Sequence, residues 1–459
     1  MLKRFEAYHW QVQRVADGND LGGLEAAIAA AKAETSKPSI IAVRTVIGYG
    51  SPKAGTNKVH GEALGAADTV ATKKFFGFPE DQSFYVPDEA RAQWRQAIDR
   101  GTADEAAWKA LFASYRAQYP ELAAEFERTQ KGARKADWTK ALPSFAPDKE
   151  QATRNAGGAS MNAIAEAVPE LFGGAADLTA STKTIFKPGA NFHVDPAGRN
   201  VFFGVREFAM GAAVNGIAAH GGLVPFGSTF FTFVDYCKPA VRLAALMKTH
   251  SLFVFTHDSI ALGEDGPTHQ PIEHLMMLRA VPNLTDFRPA DANETAAAWR
   301  LALERTGPSF FALTRQNVPV IDPTAHDVYA GVSKGAYILE DAANPQVILI
   351  GTGSEVWPCV EAKKMLEAEG IAARVVSFPS WEIFDEQPAA YKASVLPAGV
   401  PKLAVEAGSP LGWWKYVGQD GDIIGLDRFG ASAPGPKAMA ELGFSAENVA
   451  ARARTLVKK

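Results

Sequence analysis

The chain contains only two cysteines among its 459 residues, and this scarcity argues against a disulfide framework. Cys237 and Cys359 are also too far apart in sequence to suggest a pair of metal ligands. No apolar run approaches the roughly 20 residues needed to cross a bilayer, and the segment Met1–Glu6 lacks the apolar core of a signal peptide. We therefore expect a cytoplasmic protein that does not associate with membranes.

Positive charge is not concentrated anywhere in the sequence. The net charge is −4, and no group of lysines and arginines is dense enough to line a nucleic-acid groove. A hydrophobic fraction of 47% and a charged fraction of 21% are typical of folded globular proteins. We therefore expect no nucleic-acid partner, and the length allows about three domains of roughly 150 residues.

Apolar runs alternate with helical patterns along the chain, which is typical of α/β domains with parallel sheets. The fold class predicted is therefore α/β, with three doubly wound domains. The predicted parts are a partial first domain with a helical tail at 1–131, a linker at 132–150, a second domain at 151–322 and a third at 333–459.

The first domain is predicted to be small. Its sequence pattern predicts a strand at Phe5–Val15, a helix at Leu21–Thr35, a buried strand at Ile40–Val46 and a charged helical segment over 87–131. Its expected hydrophobic anchors are Trp94, Trp108, Leu111 and Tyr115. One strand–helix–strand unit cannot cover both faces of a parallel sheet. We therefore expect that another chain completes it or that the sequence lacks its beginning.

The segment Gly263–Pro271 is the most informative stretch of the sequence. It follows the apolar run Ser251–Thr256 and a polar cluster that begins at His257. Ligands of open α/β sheets bind at the carboxyl ends of strands. Gly and Pro fix the turn, which leaves Asp265 and His269 to present their side chains. The alternative interpretation is an acidic surface turn.

Glu207 lies in an apolar stretch just before a helix predicted at Gly211–His220. A carboxylate near a helix N-terminus is favourable in itself, so a purely structural role is the alternative. The small Ala and Gly residues around it indicate tight packing, which favours a buried acid with a function.

Phe230, Phe233 and Tyr236 recur at steps of three residues. On a helical turn this spacing places the three rings on one face. The face is either ordinary core packing or a pocket that stacks on a flat heteroaromatic ring.

Two arginines follow or flank apolar runs and are candidate anion ligands. The guanidinium groups of Arg154 and Arg315 suit a phosphate or a carboxylate, although each is equally compatible with a structural salt bridge. Ser181 offers a further hydroxyl donor or is simply a turn serine. His60 is a polar loop residue that is compatible with plain exposure.

Gly351-Thr-Gly353 is similar to the start of a dinucleotide-binding turn, but the third glycine of that pattern is replaced by Val356. We interpret Ser354 as a helix cap instead.

Together these segments closely resemble the transketolase family of thiamine-diphosphate enzymes, in order and over almost the whole chain. Gly263–Pro271 is the most specific of them. The matching stretches are Phe5–Tyr8, Ile47–Pro52, Gly174–Leu178, Gly204–Phe208, His257–Ile260, Gly263–Pro271, Thr314–Asn317, Gly353–Val356 and Val405–Gly408.

The resemblance implies a transferase of the pentose phosphate pathway that moves a two-carbon ketol unit from a ketose phosphate, of the xylulose 5-phosphate class, to an aldose phosphate. Glu207 matches the acid that makes a hydrogen bond with N1′ of the cofactor pyrimidine. Phe230, Phe233 and Tyr236 match the pocket around that ring, and Asp177 matches another cofactor contact.

The resemblance also assigns the substrate contacts. Asp265 and His269 match residues that contact donor hydroxyls and assist proton transfer, for which histidine is suited near neutral pH. His60 matches a histidine near the diphosphate and the substrate. The residues that match the phosphate site are Arg154, Ser181, His257 and Arg315.

The sequence departs from the family in one respect. The Gly-Asp-Gly…Asn motif, which binds Mg²⁺ or Ca²⁺ and through it the cofactor diphosphate, is absent, and Gly418–Asp422 lacks the pattern. We therefore expect no metal ligands in this chain. Family sites lie between two subunits, so the expected partners are sugar phosphates and either a second copy or a complementing N-terminal segment, with activity of the chain alone in doubt.

Two other functions stay open from the sequence. One is a related thiamine-diphosphate synthase of the 1-deoxyxylulose-5-phosphate type, against which the stretches at His257 and Thr314–Asn317 argue. The other is a non-catalytic partner or scaffold subunit, against which the presence of Glu207, Asp265 and His269 argues.

Overall fold

A computed structural model describes residues 1–187 and 189–458. The chain divides into two compact units, Met1–Ser114 and Tyr115–Lys459. The helices and strands of the first 130 residues are α1 (Leu2–Ala7), β1 (Gln11–Val15), α2 (Leu21–Ala33), β2 (Ser39–Val43), α3 (Ala66–Phe75), α4 (Asp88–Gln118) and α5 (Pro120–Gln130).

The first sheet is a parallel pair in which Gln11 of β1 lies opposite Ser39 of β2. The strand predicted at Phe5–Val15 is wrong in its first half, which forms α1. The Phe5 ring packs edge-on against Tyr8 and Trp10 at 6.3 and 5.3 Å between centroids, and this local cluster folds the segment back. The predicted buried strand at Ile40–Val46 is shorter and only half-buried, because its sheet has a single partner strand.

The predicted helical segment 87–131 is present as α4 and α5, which are separated at Pro120 because proline has no N–H to continue a helix. The prediction that four of its residues are buried anchors is wrong. The Trp108 ring stacks on Phe112 one turn later, with 5.2 Å between centroids, so it packs against a neighbour on its own helix. The exposed fractions are Trp94 78%, Trp108 52%, Leu111 69% and Tyr115 38%.

The segment predicted as a linker, 132–150, packs against the second domain. Trp138 lies in a short 3-10 turn and is 7% exposed. Arg128 and Arg134, on either side of the turn that ends α5, both pair with the buried carboxylate of Glu170. The connection is therefore held in place by a buried ring and a buried charge.

The second domain is built on a parallel sheet. Its elements are α6 (Thr153–Ala163), β3 (Leu171–Ala175), α7 (Thr179–Thr182), β4 (Asn200–Phe202), α8 (Glu207–His220), β5 (Val224–Phe230), α9 (Val234–Met247), β6 (Leu252–Thr256), α10 (His274–Arg279), β7 (Thr285–Phe287), α11 (Ala292–Glu304) and β8 (Ser309–Leu313).

The strand order of this sheet is β4-β3-β5-β6-β8-β7, and every pairing is parallel. Strands β5, β6 and β8 are buried along their whole length, as expected for a sheet covered by helices on both faces. The chain runs outward from β3 to β4 and then returns to β5 on the other side. This reversal creates a crevice at the carboxyl ends of β3 and β5, where ligands bind in such folds.

The third domain has a mixed sheet of order β13-β12-β10-β11-β9, in which β9 is antiparallel to β11. Its elements are α12 (Val328–Val332), β9 (Tyr337–Glu340), β10 (Val347–Gly351), α13 (Val356–Ala368), β11 (Ala373–Ser377), α14 (Trp381–Asp385), α15 (Ala389–Val395), β12 (Lys402–Val405), α16 (Trp414–Val417), β13 (Asp422–Ile424), α17 (Gly435–Glu441) and α18 (Ala446–Val457).

Two details of the third domain differ from the sequence prediction. The antiparallel β9 makes the sheet mixed rather than wholly parallel. Ser354 does not cap α13, because its hydroxyl donates to the carboxylate of Glu355 instead. The α/β class itself is confirmed, and none of the described helices is long and apolar enough to span a bilayer.

Candidate active site

Residues predicted for the site follow the carboxyl ends of several strands of the second-domain sheet. Phe230 is the last residue of β5, His257 is the first after β6, and Arg315 is the second after β8. Asp177 follows β3 by two residues, and Glu207 opens α8 after β4. Since these strands are parallel, their carboxyl ends lie at one edge of the sheet, and the loops that carry these residues lie along it.

The rings of Phe230 and Phe233 stack with centroids 5.9 Å apart and an interplanar angle of 12°. Tyr236 lies 6.3 Å from Phe233 and is more exposed. The two histidines reach the same aromatic face: His257 lies 3.7 Å from Phe230, and His269 lies 5.4 Å from Phe233 between ring centroids. The spacing of three in the sequence therefore forms a surface that both histidines contact.

Glu207 lines a cavity of about 640 Å³ beside this surface. Its side chain is buried, and it lies in the first turn of α8. Sequence reasoning predicted Phe233 and Tyr236 here but assigned no role to Val205, Arg206, Phe208 and Ala209, which are neighbours of Glu207 in the chain. The lining residues are Val205, Arg206, Glu207, Phe208, Ala209, Phe233 and Tyr236.

Hydrogen bonds between two threonines, each next to an arginine in the chain, join the segments that carry Arg154 and Arg315. The Thr153 amide donates to Thr314 Oγ1 at 2.9 Å, and the Thr314 amide donates to Thr153 Oγ1 at 2.7 Å. Arg154 Nη1 donates to the backbone carbonyl of Ser181 at 2.8 Å, so this contact uses the serine carbonyl and not its hydroxyl. Burial, and next the charge of Arg315, lower the pKa of Arg154.

Arg154 has a guanidinium N–H group that is still available to a ligand. Its Nε is buried, and among the described residues it has no hydrogen-bond partner. Two guanidinium groups of like charge held near each other repel, and an anion between them relieves that repulsion. The arrangement therefore suits a phosphate better than a structural salt bridge.

His257 adopts a left-handed backbone conformation, with φ of 62°, and its side chain is buried. Thr256 Oγ1 lies 2.9 Å from its Nδ1. Burial, and then the positive charges of Arg154 and Arg315, lower the pKa of His257 from 6.5 to about 3. The ring is therefore neutral near pH 7 and offers one N–H donor to an anion.

We expect the His257 ring to show no protonation step between pH 5 and 8 in NMR spectra of histidine-labelled protein. The unfolded chain takes up this proton near pH 6.5 and the folded chain near pH 3, so acidification through that window favours unfolding. Arg154→Met should raise the pKa, because it removes one nearby positive charge. Lys183→Met, which removes an exposed charge, is the control. A His257 midpoint near 6.5 in the unmodified protein would contradict this account.

The loop Gly263–Pro271 is held by its own glutamine. Gln270 Nε2 donates to the carbonyls of Ile260, Gly263 and Ala431 at 3.2, 3.1 and 2.9 Å. Gly263 and Gly266 have φ of 102° and 75°, values that residues with a Cβ rarely adopt. The loop presents His269 half-buried against the aromatic face and leaves Asp265 exposed.

Two predicted residues are not joined to this cluster by the described contacts. Asp177 is exposed and has φ of 62°. His60 belongs to the other compact unit, where it is exposed at the end of the short 3-10 helix Asn57–Val59.

Sequence reasoning missed a buried ion pair behind His257. The next residue, Asp258, accepts a hydrogen bond from Arg288 Nε at 3.0 Å, and both side chains are 0% exposed. Arg288 is the first residue after β7, and Asp258 is the second residue after β6. That position after an apolar strand was a usable signal, but it did not reveal which residues would pair.

One group among the described residues has ligand atoms close enough for a metal ion. It consists of Asp235, Glu273 and His274, whose candidate atoms lie within 4.8 Å of one another. The two carboxylates are exposed, and we assign no ion to the group.

Three family models match this chain in sequence order. The transketolase thiamine diphosphate binding domain matches residues 1–134, the transketolase pyrimidine binding domain matches 149–320, and the transketolase-like C-terminal domain matches 335–445. The chain belongs to the transketolase family.

Individual transketolases agree with this assignment. The chain is 53% identical to the transketolase of Geobacillus stearothermophilus, over 100% of this chain and 70% of that protein. It is 49% identical to the Bacillus subtilis transketolase, with the same coverage of 100% and 70%. A Pichia stipitis transketolase solved in complex with sedoheptulose 7-phosphate is 44% identical, with a TM-score of 0.93 over 99% of this chain and 68% of that one.

Membership makes this chain a thiamine-diphosphate-dependent transferase of two-carbon ketol units between sugar phosphates, and it favours transketolase over the synthase alternative. No comparison tests whether a complementing segment supplies the rest of the diphosphate site, so that expectation stays a prediction.

Proposed function

We propose that the cavity beside Glu207 binds the aminopyrimidine ring of thiamine diphosphate, with the Glu207 carboxylate at N1′. The main support for this proposal is that the buried Glu207 carboxylate and the ring of Phe233 line the same cavity of about 640 Å³. Stacked aromatic side chains suit a flat heteroaromatic ring, and a carboxylate suits its protonated nitrogen. The residues present therefore fit this group.

When bound, thiamine diphosphate supplies the carbon nucleophile that breaks and forms the carbon–carbon bond. Glu207 holds the proton at N1′, and burial keeps that interaction strong because little water competes for the carboxylate. Phe230 and Phe233 orient the ring and exclude water from one of its faces. We propose Asp177 as a further cofactor contact, on the family resemblance alone.

The phosphate of the sugar is proposed to bind Arg154, Arg315 and His257. Two guanidinium groups supply the charge, and the neutral His257 ring donates one hydrogen bond. Ser181 fixes Arg154 through its backbone carbonyl. Two neighbouring guanidinium groups match the charge of a phosphate dianion.

His269 is proposed to contact the donor hydroxyls and to move a proton during bond cleavage. Its ring already touches the aromatic face, and Thr268 Oγ1 lies 2.9 Å from Nδ1, where the hydroxyl can donate or accept a hydrogen bond. Asp265 is proposed to bind a donor hydroxyl from the same loop. His60 is proposed to act near the diphosphate.

The divalent cation that accompanies the diphosphate is proposed to be Mg²⁺ or Ca²⁺, which prefer oxygen ligands. We propose that its ligands come from a complementing N-terminal segment, because a second copy of this chain lacks the same motif. A cytoplasmic location remains a prediction from the cysteine content.

The function is tested by ketol transfer from xylulose 5-phosphate to ribose 5-phosphate with thiamine diphosphate and Mg²⁺. The assay is run on the chain alone and then with an N-terminal transketolase segment added. We expect transfer only, or mainly, after addition, since the diphosphate ligands would then be supplied. Full transfer by the chain alone would overturn the need for a partner segment.

The same assay separates the remaining alternatives. Pyruvate with glyceraldehyde 3-phosphate, in place of xylulose 5-phosphate and ribose 5-phosphate, serves as the control, because a synthase of the 1-deoxyxylulose-5-phosphate type releases CO₂ from pyruvate and joins its other two carbons to a three-carbon phosphate. Absence of transfer under both conditions, with partner binding retained, would support the non-catalytic scaffold and contradict the proposal.

A further inference from the structure

We propose that Glu355, in the third domain, is a positioning residue for the sugar-phosphate site. The geometry links its carboxylate to the loop that carries His257 and to the loop that carries Arg315. The inference rests on the proposed function of those two residues as phosphate ligands.

The first link runs through Arg288. Glu355 Oε2 accepts a hydrogen bond from Arg288 Nη1, and Arg288 Nε donates to Asp258 Oδ2 at 3.0 Å. Asp258 is the residue after His257, whose backbone is left-handed. Asp258, Arg288 and Glu355 all have side chains that are 0% exposed, so solvent does not compete for these bonds. The pairing therefore fixes the backbone from which the His257 ring projects.

The second link runs through Ser354. Its hydroxyl donates to Glu355 Oε1 at 2.7 Å and accepts from Gln316 Nε2 at 3.1 Å. Gln316 directly follows Arg315, and its backbone carbonyl accepts from Thr314 Oγ1 at 2.9 Å. The loop of Arg315 is thus held on both sides of the arginine.

Glu355 is itself fixed. The Ala407 amide donates to Oε2 at 2.9 Å, so a loop of the third domain anchors the carboxylate independently of the two links. Both oxygens act as acceptors, and a glutamine of the same shape replaces one acceptor with an N–H₂ donor. That N–H₂ can only point toward Ser354, whose hydroxyl must then turn from donor to acceptor, and Arg288 is left with a neutral oxygen in place of its charged partner.

Displacement of either loop would weaken recognition of the sugar phosphate. Arg315 and His257 come from separate loops, and a shift of about 1 Å in such groups lowers rates strongly, by up to about a hundredfold. A substrate without a phosphate makes no use of them. The third domain therefore contributes to the preference for phosphorylated sugars without touching the sugar.

The test compares two donors in the active form of the enzyme. Glu355→Gln should raise KM for xylulose 5-phosphate about tenfold. KM and kcat for hydroxypyruvate, a donor without phosphate, measured with glycolaldehyde as an acceptor without phosphate, should change by less than about twofold, because neither compound uses the phosphate ligands. The matched control is Glu361→Gln, an exposed carboxylate on α13 that pairs with Lys364 and should change neither donor.

Ser354→Ala breaks only the second link and removes no charge, so it serves if Glu355→Gln does not fold. It should raise KM for xylulose 5-phosphate a few-fold and leave hydroxypyruvate unchanged. Equal changes for both donors, or no change for either, would overturn the inference.

Arg315→Met in the same assay distinguishes this inference from the proposed function. If Arg315→Met leaves KM for xylulose 5-phosphate unchanged, the proposed phosphate site is wrong. If Arg315→Met raises it while Glu355→Gln and Ser354→Ala do not, the phosphate site stands and the positioning role of Glu355 fails.

Discussion

Replacing Glu207 with glutamine should lower kcat for ketol transfer by about two to four orders of magnitude. The substitution keeps the shape of the side chain at the start of α8 but removes the carboxylate that would hold the N1′ proton. Because the residue is buried beside Phe233, water cannot take over this role. Steady-state kinetics at saturating thiamine diphosphate would measure the loss, with cofactor binding followed separately by calorimetry.

The control for this prediction is Glu166→Gln, since Glu166 is an exposed carboxylate of the same domain. Its kcat should equal that of the unmodified protein. A Glu207→Gln enzyme that keeps kcat within about threefold of the original would show that the acid acts only as a helix-stabilising group.

Arg288→Met should lower the free energy of unfolding by about 3–5 kcal/mol. Arg288 pairs with Asp258 and Glu355, and all three side chains are 0% exposed. Methionine fills much of the same volume but leaves two buried carboxylates without their counter-ion. Burial already raises the pKa of Asp258 to about 6 against the effect of Arg288, so removal of the arginine should favour the protonated acid further. Denaturant titration followed by tryptophan fluorescence would measure the change.

Arg305→Met gives the matched comparison, because Arg305 also pairs with a glutamate of the third domain, Glu386, but with side chains 28% and 52% exposed. Loss of such a partly solvated pair should lower the free energy of unfolding by less than about 1 kcal/mol. If the two variants lose similar amounts, the buried network does not join the domains as its geometry indicates.

The parts of the site that sequence could predict are those whose signal is local. Phe230, Phe233 and Tyr236 lie within seven residues of chain, from the end of β5 through a 3-10 turn into α9, so their closeness in sequence brings the rings together even though Phe230 is not helical. His257 and Arg315 each follow an apolar run, and parallel strands bring such positions to one edge. The α/β class is predictable for the same reason, because alternation is a local pattern.

What sequence could not predict depends on distant partners. Glu355 and Arg288 are 67 positions apart, and nothing in the periodicity of either segment indicates the other. Trp94 and Leu111 were expected to be buried because their side chains are large and apolar. Their burial depends instead on whether another surface lies against the helix. Phe5 was misassigned because an aromatic cluster with Tyr8 and Trp10 outweighed strand propensity over a few residues.

The pair of hydrogen bonds between Thr153 and Thr314 has a consequence for synthesis as well as for binding. The two residues are 161 positions apart, so Arg154 leaves the ribosome long before the strand that brings Arg315 to it. At roughly 5–20 residues per second, about 10 to 30 seconds separate the two halves of this contact. During that interval β8 is missing from the sheet. The proposed phosphate site is therefore completed only after β8 has been synthesised and has paired with its neighbours.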